Sequence, residues 1–167
     1  LNAFYSGLAA TSDHETFSFW EHIHKVSLHK THEEAWSLMQ LRRMLWLEDG
    51  DQLRLLAGIP EAWLDPGQII EVTGAGSLFG GLSFRIARSE DGQSLHVRWQ
   101  PAFHGAPSRL ILHLPGLAAW TSTDDRLRTL PPHLGSGLEI DLPSVAADFV
   151  LHVRSDSESE AFAPADS

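Results

Sequence analysis

The chain has 167 residues, and its hydrophobic content of 43% and charged content of 20% are typical of a globular protein with a buried core. The net charge of −10 argues against a nucleic-acid partner, because a phosphate backbone would be repelled and Arg42–Arg43 is the only adjacent basic pair. The absence of cysteine excludes disulfides, thiolate metal sites and a thiol nucleophile. No apolar run reaches the ~18 residues of a membrane span.

Residues 1–48 have apolar side chains at helical spacing, and they predict two to three α-helices. The first covers the opening residues, a short second one lies around 13–24, and the third covers 32–48. Thr31 and Glu34 have the spacing of a capping box at the start of the third helix. The apolar surface of that helix is too broad for one neighbour, so we expect it to contact more than one.

From residue 49 the apolar period changes from helical to two, which is typical of strands with one buried face. Half-polar strands argue against a parallel sheet covered on both faces. We therefore predict a mainly β fold, an antiparallel β-sandwich of about seven to eight strands over 49–154, preceded by the helices. The eighth strand is expected near 126–130, and the other seven are marked by alternating residues: Leu53/Leu55, Ile70/Val72, Leu82/Phe84/Ile86, Leu95/Val97/Trp99, Leu110/Leu112/Leu114, Leu138/Ile140/Leu142 and Phe149/Leu151/Val153.

The two ends of the chain do not have the alternating pattern of the sandwich. Residues 155–167 contain four acids and no base, which predicts a disordered acidic tail. The first residue, Leu1, falls inside a helical pattern, and we expect the chain to be part of a longer protein.

Four histidines lie in the stretch His22–Trp36, HIHKVSLHKTHEEAW. A helical zinc site needs histidines four residues apart on one face, and this stretch has no such pair. The favoured interpretation is a polar loop that enters the third helix. A second is that His29 and His32 line a ligand cleft, and a third is a metal site made by His22, His24, His29 and His32. We predict no metal and no cofactor.

The remaining candidates for chemistry are carboxylates and tryptophans. Glycoside hydrolysis needs two converging carboxylates, and no pair in the sequence can be assigned to that role, so no catalytic residue is predicted. Trp63 lies in a connection and Trp120 in a segment of unclear structure, which makes them the candidates for stacking on sugar rings. The helix and strand positions of the other tryptophans favour core packing for three of them: Trp36, Trp46 and Trp99.

The run MLWLEDGDQLRLLAGIPEAWLDPGQIIEVTGAGSLFGGLSF, from Met44 to Phe84, resembles a junction found in six-hairpin glycosidase-like proteins. In that family the last helices of an (α/α)6 toroid lead into a C-terminal β-sandwich. The matching features are a helix that ends in Met-Leu, an acidic-Gly turn, a Leu-rich strand, Pro-x-Ala-Trp-Leu, and Phe-Gly before a Ser-Phe strand. HKTHEEAWSLMQLRRM also fits the closing toroid helix.

The resemblance implies that this chain is the C-terminal accessory or structural β-sandwich region of a glycoside hydrolase-like, carbohydrate-active enzyme. The catalytic acids of such enzymes lie on toroid loops, so the isolated chain is expected to be inactive. Its partners would be the N-terminal helical domain and, through the full-length enzyme, carbohydrate; no nucleic acid or membrane is expected. The alternatives are a stand-alone carbohydrate-binding β-sandwich and a His-rich metal-binding protein.

Overall fold

The computed structural model describes residues 2–13, 18–19, 31–117, 120–141 and 144–153. It begins with helix α1, Asn2–Thr11, followed by strands β1, Ser12–Asp13, and β2, Ser18–Phe19, which pair antiparallel. The predicted helix around 13–24 is therefore wrong for the part of it that is described. Serine and aspartate compete with helical hydrogen bonds through their own side chains, and here they lie in extended backbone instead.

Helix α2 runs from Thr31 to Leu45, so it ends three residues before the predicted end at 48. The chain leaves the helix there because Trp46–Asp49 forms strand β3, which pairs antiparallel with the next strand. Gly50 turns between them at a φ of +64°, a left-handed conformation that glycine adopts without strain. The side chain of Thr31 lies outside the described residues, so the capping box stays a prediction.

Two five-stranded sheets follow the helices, and the mainly β sandwich is confirmed. The first sheet has the order β10-β11-β8-β4-β3 and the second the order β5-β6-β7-β12-β9. Each of the seven alternating segments contributes a strand, with Leu142 outside the described residues, and the eighth predicted strand is β10. The bounds are β4 Gln52–Leu55, β5 Ile69–Ser77, β6 Gly80–Arg88, β7 Ser94–Phe103, β8 Arg109–His113, β9 Trp120–Thr121, β10 Leu127–Thr129, β11 Gly137–Ile140 and β12 Ala147–Val153.

One pair of strands, β4 and β8, departs from the antiparallel prediction. They run parallel, with Leu53 opposite Leu110 and Leu55 opposite Leu112. The chain leaves the first sheet after β4, builds β5, β6 and β7 of the second sheet, and returns at β8. A parallel neighbour is the result, because parallel strands require a long crossover connection.

The core lies between the two sheets and consists of the alternating residues that the sequence marks. Leu53, Leu110 and Leu112 from the first sheet are fully buried, as is Trp99 from the second. Burial of a leucine side chain contributes about 1.5–3 kcal/mol, so this layer is the main source of stability. Gly137 permits close packing here, because a Cβ at that position would lie 2.2 Å from the Leu112 carbonyl oxygen.

Candidate functional site

The structure describes two of the four ligand candidates proposed from sequence. Trp63, in a 3₁₀ turn at Glu61–Leu64, and Trp120, in β9, are half-buried and pack against the core. The two indole rings make no contact with each other among the ring contacts of the described residues. A stacking role for either one stays a prediction.

The histidine candidates lie outside the described residues. His29 falls in the undescribed stretch before α2, and His32 is in its first turn, where only the backbone is described. Within the described part of the chain, no three His, Asp or Glu side chains come together in a way that could hold a metal ion. In that same part, no helix is long and apolar enough to cross a membrane.

The last turn of α2 is fixed to the sandwich by backbone and by close packing. The Leu56 N–H donates to the Leu45 carbonyl at 2.8 Å, and the Gly58 N–H donates to the Met44 carbonyl at 3.3 Å. Met44 is buried, and a Cβ on Gly58 would lie 3.1 Å from its Cα. The helix therefore meets the first sheet at a fixed position, without a linker.

Polar contacts extend this junction to the turn between β5 and β6. The Glu48 carboxylate is almost fully buried and accepts from Arg42 and, at 3.1 Å, from the Leu78 N–H. Burial acts to raise the pKa of Glu48, but the hydrogen bonds from Arg42 and from backbone amides outweigh it and lower that pKa. Trp46 donates to the Gly76 carbonyl at 3.2 Å. The carboxylate stays charged and ties helix, strand and turn together.

The rest of α2 presents large apolar side chains to solvent. Leu38 and Leu41 are three residues apart and lead along the helix to Leu45, which packs against the core. Trp36 and Met39 are also exposed, so the predicted core position of Trp36 is wrong. These four residues, which we call the α2 apolar surface, have exposed fractions between 38% and 68%. Large exposed apolar surfaces rimmed by polar residues mark interaction sites.

A row of four charged side chains crosses the outer face of the second sheet. Glu71 on β5 lies opposite Arg85 on β6, Arg85 opposite Arg98 on β7, and Arg98 opposite Asp148 on β12. The order is acid, base, base, acid, and we call it the charge row. Two like charges directly opposite each other destabilise a sheet, so the central arginine pair is an unfavourable contact that the flanking acids offset.

The ion pairs of the charge row leave most arginine donors unused. Arg98 Nε donates to Asp148 at 3.1 Å, and Arg85 Nε lies 3.6 Å from Glu71. Among the described residues, the Nη groups of both arginines have no hydrogen-bond partner. The four side chains are 38% to 63% exposed, so these donors face solvent.

Two hollows flank the arginine pair, and both arginines line each of them. One, of about 280 Å³, is also lined by Arg88, Ser89 and His96. The other, of about 170 Å³, has hydroxyl and amide groups on its wall from Thr73, Ser83 and Gln100. Neither hollow is lined by an exposed Phe, Tyr or Trp ring, so the surface offers charge and hydrogen bonds.

Arg88 differs from the two central arginines, because its guanidinium is committed to the fold. It donates to the Leu64 carbonyl at 2.7 Å and to the Gly92 carbonyl through Nε and Nη2 at 3.2 and 3.1 Å. An arginine that donates to two backbone carbonyls in this way holds the loops in place and has few donors left for a ligand.

Sequence reasoning missed the charge row, although its centre was within reach. Asp91-Gly92 is a hairpin signal, and Arg85 and Arg98 lie six residues before and six residues after that pair. Equal distances from a hairpin turn place two residues opposite each other. The partners Glu71 and Asp148 come from strands that only the sheet order brings alongside.

The outer face of the first sheet holds a different polar group. Ile111 is fully buried on that face, opposite Arg54 on β4, and His113 lies two residues further along β8. In the described part of the chain, three buried side-chain atoms lack a hydrogen-bond partner: Gln52 Oε1, Arg54 Nε and His113 Nε2. Burial, aided by the charge of Arg54, lowers the pKa of His113.

Comparisons with known proteins found no match: no family model, no curated protein and no solved structure is similar to this chain.

Proposed function

We propose that this chain is the accessory, structural β-sandwich region of a glycoside hydrolase-like, carbohydrate-active enzyme, and that it is not catalytic alone. In this proposal α1 and α2 belong to the end of a helical toroid. The α2 apolar surface contacts the preceding helices, and the sandwich stabilises the toroid from the side. The proposal starts from the resemblance of Met44–Phe84 to the junction of six-hairpin glycosidase-like proteins.

The observation that carries the proposal is the contrast along α2. Its last turn is fixed to the sandwich by Met44 and Gly58, whereas Trp36, Leu38 and Met39 are exposed. A helix held rigidly at one end presents its apolar residues in one orientation. That geometry suits a permanent contact with further helices, because an exposed Leu side chain gains about 1.5–3 kcal/mol on burial.

The α2 contact is tested by L38E in two settings, the 167-residue chain and a longer protein that includes upstream helical sequence. In the 167-residue chain the substitution should change thermal stability little, because Leu38 is exposed. In the longer protein it should lower the melting temperature and expose the junction to proteolysis. V145E is the matched control, since Val145 is also exposed but lies just before β12, away from α2. An L38E effect no larger than that of V145E in the longer protein contradicts the proposal.

The catalytic part is tested with a panel of chromogenic glycosides. The longer protein should hydrolyse at least one of them, and the 167-residue chain none. Hydrolysis by the 167-residue chain that is lost on substitution of one of its own acids would overturn the proposal. The gene sequence upstream of Leu1 offers a quicker check, since a reading frame encoding several helical hairpins is expected there.

A stand-alone carbohydrate-binding sandwich is the second candidate, favoured by the partial exposure of Trp63 and Trp120. Aromatic rings that keep one face accessible can stack on sugars. Affinity electrophoresis of the 167-residue chain in neutral polysaccharides tests this function. Retardation that W63A or W120A abolishes, and that W36A on α2 leaves unchanged, supports it; unretarded migration in every polysaccharide removes it.

A further inference from the structure

We propose that the charge row on the second sheet binds a carboxylated polysaccharide, a polyuronate, with a carboxylate held between Arg85 and Arg98. The site goes beyond a structural role for the sandwich. The choice of a polysaccharide among polyanions rests on the proposed carbohydrate-active function; the anion site itself rests on the geometry of the sheet.

The first argument is the arrangement of the two guanidinium groups. Side chains directly opposite on antiparallel strands have Cβ atoms about 4.5–5.5 Å apart, so a single carboxylate can reach both Arg85 and Arg98. Each arginine uses only Nε towards its acidic neighbour. The free Nη groups match the planar, two-oxygen geometry of a carboxylate, which arginine recognises bidentately.

The second argument is electrostatic. Two opposed arginines repel each other, and a bound carboxylate relieves that repulsion. Glu71 and Asp148 do not lie between the two arginines. Each lies on the outer side of one of them, Glu71 beside Arg85 and Asp148 beside Arg98. The chain carries a net charge of −10, so unspecific attraction of polyanions is weak and binding must come from a local group such as this one.

The third argument is the shape and lining of the surface. The two hollows continue from the arginine pair in both directions along the strands. From the Ser83–Gln100 pair to the Ala87–His96 pair the sheet extends about 13 Å, roughly two or three hexose units. Thr73, Ser83 and Gln100 offer hydrogen bonds to sugar hydroxyls. A charged, extended chain fits this surface better than a neutral glucan, which binds by stacking on aromatic rings.

The test is calorimetry and affinity electrophoresis of the intact 167-residue chain with polygalacturonate, and with the same polymer after methyl esterification. The free acid should bind at about 20 mM salt and more weakly at about 150 mM, as expected for exposed charges. The ester should not bind, because it lacks the carboxylate. R85Q and R98Q should each raise the Kd by about tenfold or more.

Two matched controls separate a site from general charge effects. R128Q removes an arginine on the first sheet that is 69% exposed and paired with Asp141, and it should leave the Kd unchanged. E71Q and D148N remove the acids that compete for the arginines and should tighten binding. D141N changes the net charge equally on the first sheet and should not.

Three results would overturn the inference. These are no binding of polygalacturonate, equal weakening by R128Q and R98Q, and binding of dextran sulfate or poly-glutamate as tight as that of polygalacturonate. The last result would mean a general polyanion site. None of the three bears on the α2 contact, which L38E and V145E test separately, so failure here is distinguishable from failure of the proposed function.

Discussion

The outer faces of the two sheets differ in the burial of their polar side chains around Ile111 and around the arginine pair. On the first sheet, Ile111 is fully buried and its neighbours Arg54 and His113 each have a buried nitrogen without a partner. On the second sheet, Arg85 and Arg98 are exposed and their unused donors face solvent. The outer face of the first sheet is thus buried around Ile111, although Arg128 at its edge is 69% exposed, whereas the arginine pair of the second sheet is open to solvent.

The difference has consequences for stability and for binding. A buried polar atom without a partner costs about 1–3 kcal/mol, whereas an exposed ion pair contributes about 0–1 kcal/mol. Substitutions around Ile111 on the first sheet should therefore change stability, and those at the arginine pair of the second sheet should change binding. Four predictions test this contrast, from the largest expected effect to the smallest.

The largest effect is expected from I111A on the first sheet. Truncation of a fully buried isoleucine removes apolar burial and leaves a cavity. The free energy of unfolding should therefore fall by about 2–4 kcal/mol. Urea unfolding measures this. V150A is the control, because Val150 lies on the outer face of the second sheet and is only half-buried; it should cost less than about 1 kcal/mol. Equal losses for both variants would mean that the two faces are alike.

The second effect is a pH dependence of the folding stability, which is due to His113. Its pKa is lowered in the folded protein by burial and by Arg54, so the unfolded chain binds more protons as pH falls below about 6.5. The stability associated with neutral His113 is complete above that pH and is lost on acidification. Thermal unfolding between pH 7.5 and 5 should thus show a steeper loss for the wild type than for H113Q. Parallel curves for the two proteins would contradict this assignment.

The third prediction concerns Arg54 itself. R54M keeps the apolar stem, removes the unpartnered Nε, and removes the ion pair with Asp49 at 2.9 Å. We expect stability to be unchanged or improved by about 1 kcal/mol, since Asp49 is 58% exposed and loses little with the ion pair, whereas the unpartnered Nε is no longer buried. The pKa of His113, followed by NMR, should rise towards its usual value, because the charge of Arg54 is gone. A fall in that pKa would count against the electrostatic account.

The smallest stability effect is expected on the second sheet. R98Q breaks an exposed ion pair with Asp148, and its cost in urea unfolding should be below about 0.5 kcal/mol. The same variant is expected to weaken polyuronate binding strongly. A loss of more than about 1 kcal/mol in stability would place Arg98 among the structural arginines, with Arg88.

Most of the sandwich was predictable, and the errors have local causes. Leu53 and Leu55 alternate with polar neighbours because their strand has one buried face, so the pattern and the structure agree. Ser12 and Asp13 fitted a helix cap as well as an extended strand, and local sequence does not separate these. The helix α2 was predicted too long because Trp46 is apolar in both a helix and a strand.

The candidate sites were less predictable than the fold. Trp63 and Trp120 are marked as candidates by residue type and by their positions outside the alternating strands, and the structure places both against the core. The opposition of Arg85 and Arg98 follows from the hairpin turn at Asp91-Gly92, which is local. The acids that flank the two arginines could not be predicted. Glu71 and Asp148 are far apart in the sequence, and only the order of strands in the sheet brings them next to the arginines.

The sequence by itself determined which residues of most strands face the core, because a period of two leaves only one apolar side to bury. It also determined the hairpin register that brings Arg85 opposite Arg98. Only the tertiary structure decided that β4 and β8 run parallel, that Ile111 is buried on an outer face, and that Glu71 and Asp148 complete the charge row. These features depend on the order of strands within the sheets, and that order is set by burial summed over the whole core.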